Sequence, residues 1–149
     1  VIHLQRSAEI KATPEAVWAE LSRFMHIDEF APEVVKTEAL SDAQSGLGAK
    51  RRCHFKNNTA MAEEVVKWED GKMYRVQLSE LDAMPLHEAA AEIMVEPAGI
   101  GHSRVVWSFD FRVKYGPLGW LLGQTLMKMM MGKIIDGNLK GLAGKVTTA

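Results

Sequence analysis

The sequence predicts an α+β fold in which a curved antiparallel sheet is covered by a long C-terminal helix. The first observation behind this is a strand over 105–113 that alternates strictly: Val105, Trp107, Phe109, Phe111 and Val113 point to one face, and Ser108, Asp110 and Arg112 to the other. Such a strand packs one side on something apolar and wets the other. Second, Tyr115-Gly116-Pro117 leads from that strand into one Met-rich helix that runs nearly to the end of the chain. Third, short strand patterns separated by turn residues fill the middle of the chain, with helices segregated around them, and that order reads as α+β.

In chain order, His3 to Ile10 reads as the first strand. Thr13 is a good N-cap, Pro14 suits the first helical position and Glu15 favours the positive end of the helix dipole. Trp18 and Leu21 lie at helical spacing on an apolar side. A second short helix over 25–30 stops before Pro32. Glu33 to Leu40 returns to strand. Lys50–Phe55, Thr59–Trp68, Met73–Ser79 and His87–Glu96 follow as strands, and Asp70-Gly71 is the strongest hairpin signal between any two of them. Asp82 to Pro85 reads as a loop, and Pro97 to Gly101 as the turn into the alternating strand.

At 149 residues the chain reads as a single domain, 1–149, long enough to bury roughly 70% of its unfolded surface without a staple. Hydrophobic residues are 47% and charged residues 25%, values that argue against disorder. Lys plus Arg total 18 against 19 for Asp plus Glu, so no general attraction to nucleic acid is expected. Cys53 is the only cysteine, and no charged-then-apolar leader opens the sequence, so a cytoplasmic protein is expected. Lys128 and Lys133 interrupt the most apolar stretch, so no integral membrane segment is expected. The five histidines lack ligand spacing, and no phosphate or dinucleotide loop is present, so neither a metal nor a cofactor is expected.

Several segments together resemble the START-like or Bet v 1-like (SRPBCC) superfamily, and within it the polyketide cyclase/dehydrase and lipid-transport group. The likeness is carried by Ile10 to Trp18, Phe24 to Pro32, Gly48 to Cys53, Glu63 to Glu69, Ser103 to Trp107 and Gly116 to Gly119, and spans nearly the whole chain. The resemblance implies a helix-grip fold: seven strands around the C-terminal helix, two short helices after strand 1, and an internal cavity for lipids, polyketides or other apolar ligands. Some members catalyse cyclisation or dehydration. No catalytic signature of the family can be carried over, so whether this chain is an enzyme stays open.

Side-chain parity then nominates a ligand-binding wall: Trp107, Phe109 and Phe111, the small Ala89 and Ala91 on the preceding strand, Tyr74 and Val76, and Met127 and Met131 from the helix. The competing reading is that the indole and the methionines simply fill that space. Candidates for catalysis are His87 at a strand start, Tyr74 with its hydroxyl, and Glu63 or Glu64. The two glutamates are adjacent on a strand, so one points inward, and parity does not choose between them. Arg52 is a candidate partner for an inward carboxylate. The first half of the helix is apolar nearly all round, which points to burial or to a partner or membrane.

The reading is therefore binding or transport of a small hydrophobic or amphipathic ligand in an internal cavity. The alternatives are a cyclase, aromatase or dehydratase acting on a polyketide-like substrate, and an interaction module docking through the apolar helix, with peripheral membrane contact. Either a monomer or a homodimer is compatible with the sequence.

Overall fold

In the computed structural model, which describes residues 1–82 and 84–147, β1 (Ile2–Ile10) leads into a helix held at its start by Thr13. The Thr13 hydroxyl oxygen accepts the Ala16 N–H at 3.2 Å, and Pro14 begins α1 (Pro14–Leu21). A kinked 3-10 segment (Phe24–Glu29) follows. The chain then makes β2 (Val34–Ala39), β3 (Lys50–Phe55), β4 (Ala60–Glu69), β5 (Met73–Ser79), β6 (Leu86–Pro97) and β7 (Ser103–Val113). These strands form one antiparallel sheet in the order β1-β7-β6-β5-β4-β3-β2, so β7 crosses back to pair with the first strand. The expected strand boundaries agree within a few residues, and β3 and β5 agree at both ends. Turns occupy Asp82, Met84 and Pro85 of the expected loop; residue 83 lies outside the described residues.

The alternation in β7 works as read. Val105, Trp107, Phe109, Phe111 and Val113 are buried on the concave face, and across the ladder Ala91 pairs with Phe109 and Ala89 with Phe111. Two irregularities break simple parity. In β4 the register shifts between Val65 and Lys67, which turns Trp68 to the side of Val65 and stacks it on Tyr74, ring centroids 5.4 Å apart. In β6 the shift between Leu86 and Glu88 buries Leu86 opposite Val113 and leaves His87 exposed.

The C-terminal helix is continuous from α2 (Gly116–Leu122) through one π turn (Gly123–Met127) to α3 (Lys128–Thr147). Its buried residues explain the π turn. From Gly119 through Gly123 and Met127 to Met131 they recur every fourth residue, whereas beyond the π turn Gly132, Ile135, Asn138, Leu139 and Leu142 return to the ordinary mixture of three and four. In an undistorted α-helix that spacing overshoots a 3.6-residue turn, and the stripe drifts by about 40° per step. A wider turn takes part of this drift back and keeps the stripe on the sheet. The helix packs against β1, β7 and α1. It comes so close that a Cβ on Gly123 would lie 2.3 Å from the Ile2 side chain, and one on Gly141 would lie 1.9 Å from the Phe30 carbonyl oxygen. Near its end Lys145 bridges Glu29 and Glu20, and Arg23 joins Glu29 at 3.1 Å, tying α3 to the 3-10 segment. No described helix is long and apolar enough to cross a membrane.

Candidate functional site

On the concave face, Arg51 of β3 and Glu63 of β4 stand directly opposite each other in the ladder, and their parity turns both inward. Arg51 is 1% exposed and the Glu63 side chain 15%. One carboxylate oxygen, Oε1, receives everything the protein offers: Arg51 Nε at 2.7 Å, Arg51 Nη2 at 2.6 Å and the Cys53 thiol at 3.7 Å. The other oxygen, Oε2, has no partner among the described residues. Every enclosed side-chain polar atom among them is satisfied, so Oε2 is open to solvent.

Arg51 is fixed from its other side as well. Nη1 donates to the Phe24 carbonyl at 2.5 Å, and the guanidinium carbon lies 3.8 Å from the centre of the Phe24 ring. Tyr74 completes the group, its ring 5.7 Å from that of Phe24.

The electrostatics follow from this packing. Burial is the largest single influence on Arg51 and opposes its charge, but the Glu63 charge, with Tyr74, Cys53 and the Glu63 hydrogen bond added to it, outweighs burial and holds the guanidinium's pKa above its ordinary value. Burial, reinforced by Glu63 and only partly offset by Arg51, pushes the Cys53 thiol up to about 12, so it is no thiolate nucleophile at neutral pH. Burial also raises Tyr74, with Arg51 pulling the other way, so its hydroxyl stays protonated and able to donate. The arrangement is an ion pair of balanced charge, an unused carboxylate acceptor and a phenol, set among Met61, Val65, Val76 and Leu78 on the concave face.

Glu63 and Tyr74, both expected as candidates, are thus brought together; Glu64 is exposed and His87 stands apart. His87 lines a separate open cleft of about 370 Å³ where α2 meets the ends of β1 and β7, with Ile2, Phe111, Val113, Gly116 and Trp120. A second cleft of about 240 Å³ runs along Arg75, Gln77, Ala89, Asp110 and Phe111. Of the expected wall, Phe111 lines both clefts and Ala89 the second. Trp107, Phe109, Ala91, Tyr74, Val76, Met127 and Met131 belong with them to one buried cluster.

Arg52 does not reach inward. It faces the convex side and pairs with Glu80 at 2.8 Å and Glu38 at 3.1 Å, because its neighbour Arg51 shares the parity of buried Cys53. That shared parity was the available signal for Arg51.

Asn138 also escaped the sequence reading. It lies on the buried stripe of α3 between Ile135 and Leu142, and its side-chain amide makes no hydrogen bond among the described residues. Since no enclosed polar atom is left unsatisfied, this amide too must touch solvent space. A polar residue in register with an apolar stripe was the sign. Among the described residues, no cluster of three or more His, Cys, Asp or Glu side chains is arranged to hold a metal ion.

The model of the family described as polyketide cyclase / dehydrase and lipid transport matches residues 1–147. No curated protein matches the chain. Among solved structures, the Zhui aromatase/cyclase from a Streptomyces species is similar with a TM-score of 0.81 at 14% identity, over 98% of this chain and 93% of that one. A START superfamily protein from Mycobacterium smegmatis has a TM-score of 0.76 at 16% identity, over 98% of this chain and 97% of its own. Truncated norcoclaurine synthase from Thalictrum flavum reaches 0.77 at 16% identity, covering 97% and 92%. At such identities the likeness is one of fold.

Proposed function

The chain belongs to the polyketide cyclase/dehydrase and lipid transport family, and on that premise we propose that it binds a small amphipathic molecule on the concave face between β3–β5 and α3. The observation that carries this reading is the unpartnered Oε2 of Glu63, an acceptor on the sheet face that also carries Met61, Val65, Val76 and Leu78. Burial of the ligand's apolar body would supply the affinity, and the polar group would set its orientation. Arg51 is committed to Glu63 and Phe24, so the site offers an acceptor and no free cation. The ligand class is therefore a neutral or cationic molecule with a hydroxyl or amine on a fused-ring or aliphatic body. A fatty acid would bring its carboxylate against that of Glu63. Asn138 is a second handle from the helix side, and the cleft beside α2 is the proposed mouth.

Native mass spectrometry of the protein from its own source tests this reading. A retained hydroxyl- or amine-bearing apolar compound, lost in Glu63→Leu, is the expected result. Retention of fatty acids, equally in wild type and Glu63→Leu, would exclude it.

A cyclase or dehydratase reading draws support from the same geometry, since the Tyr74 hydroxyl keeps its proton to donate a hydrogen bond and Glu63 Oε2 is an unused acceptor on the same face. It requires turnover of a polyketide-like substrate with a pH–rate profile altered by Glu63→Gln. Ligand retention without turnover leaves the binding reading.

A further inference from the structure

The outer face of the helix start is an apolar surface that, apart from Trp120 at the proposed mouth, the ligand site does not use. Leu118, Trp120, Leu121, Leu126, Met129 and Met130 are each about half exposed or more, Leu118 reaching 75%. They fall on α2, the π turn and the first turn of α3, on the side away from the buried four-residue stripe. A continuous helical face of this kind is far more apolar than a solvated surface requires.

The charges that this stretch of chain itself carries have one sign, and Asp136, the first acidic residue after it, is paired with Arg6 at 3.6 Å. From Phe111 to Ile135 the chain carries Arg112, Lys114, Lys128 and Lys133 and no acidic residue, although the whole protein has a net charge of −1. Arg112 is neutralised by Glu88 at 3.0 Å. Lys114, Lys128 and Lys133 make no ion pair among the described residues. Trp120 adds an indole, 54% exposed, a side chain suited to the boundary between headgroups and acyl chains.

We infer that this face docks in the plane of an anionic lipid bilayer, with the leucines and methionines in the acyl boundary and the lysines at the headgroups. Charge selects the occupant. A second copy seated on the same stretch would offer Lys114, Lys128 and Lys133 only further basic side chains and no acidic partner from that stretch, whereas anionic headgroups complement them. This inference stands apart from the ligand reading: a protein that docks and binds no amphipathic molecule keeps the one and loses the other.

Flotation with vesicles of phosphatidylcholine, alone and mixed equally with phosphatidylglycerol, tests it. Wild type is expected to float with the mixed vesicles, less so as salt is added. Its tryptophan emission should shift to the blue on binding, and Trp120→Phe should remove that shift, because Trp18 and Trp107 are already buried and Trp68 is packed on Tyr74. The double variant Lys128→Gln/Lys133→Gln should weaken binding roughly thirtyfold, at about fivefold per lysine. Leu121→Glu/Met129→Glu should abolish it while circular dichroism stays native, since both side chains are exposed. The inference is overturned if wild type floats with neither vesicle. It is also overturned if the glutamate variant floats as wild type does, or if sedimentation velocity shows a dimer that this variant dissolves in a protein that binds no vesicle.

Discussion

Replacing Arg51 with methionine separates what the inward ion pair does for the fold from what it does for a ligand. The side chain is 1% exposed and holds the Glu63 carboxylate and the Phe24 carbonyl at once, so the variant strands an anion and a backbone acceptor together. Removing one member of a buried pair costs ~3–5 kcal/mol. Glu63 is 15% exposed and its Oε2 already meets solvent, so the lower end, about 3 kcal/mol, applies here. For a chain of this length that is a fall in Tm of roughly 6–12 °C. Urea denaturation gives the free energy directly. In Arg51→Met/Glu63→Leu the stranded charge is gone and the Phe24 carbonyl remains, a residual loss of about 1–2 kcal/mol. The double variant should therefore be more stable than Arg51→Met. If Arg51→Met unfolds within about 1 kcal/mol of wild type, or the double variant is the less stable of the two, the pair is not the buried, mutually dependent unit described here.

Other consequences are open to simple measurements. Gly141→Ala should lower the melting temperature despite alanine's gain in helix propensity of ~1 kcal/mol, because its Cβ meets the Phe30 carbonyl at 1.9 Å. At Gly144 an added Cβ meets nothing within 4 Å, so Gly144→Ala should raise it; equal effects at both sites would contradict the helix placement. Iodoacetamide should modify Cys53 far more slowly in native protein than in urea, since the thiol is buried and pushed up to about 12; matching rates would show the concave face to be open. Lys145 and then Arg23 lower the Glu29 carboxyl from 4.5 to about 2, so its contribution to stability is complete above 4.5 and lost as pH falls toward 2. Glu29→Gln should flatten the acid limb of the stability curve in that window, and an unchanged limb would remove Glu29 from the clamp on α3.

The sheet was legible because its signals are local. Strict alternation in β7, the Asp70-Gly71 turn and the Thr13-Pro14 cap each fix an element from a handful of residues. The site was harder to read because it depends on parity between strands. In β4 a register shift after Val65 puts Trp68 on the side opposite to the one simple counting gives, which left Glu63 and Glu64 indistinguishable. Choosing Arg52 over Arg51 was an error of one residue, and one residue reverses the face. His87 shared a face with Ala89 by counting, and the shift after Leu86 exposed it. The helix read correctly as one long element, but an apolar circumference does not say which side meets the sheet. The four-residue spacing of Gly119, Gly123, Met127 and Met131 held that answer, and it leaves Trp120 and Leu121 facing outward.

Amide chemical shifts followed by NMR during titration with naphthol, and separately with naphthoate, test the ligand site most directly. Naphthol, which donates through its hydroxyl, should move the resonances of Glu63, Tyr74 and Asn138 together in a saturable way, and Glu63→Leu should abolish the effect. Naphthoate should bind more weakly, because its charge opposes that of Glu63. Shifts confined to the outer face of α2, or naphthoate binding more tightly than naphthol, would contradict an acceptor-lined concave site.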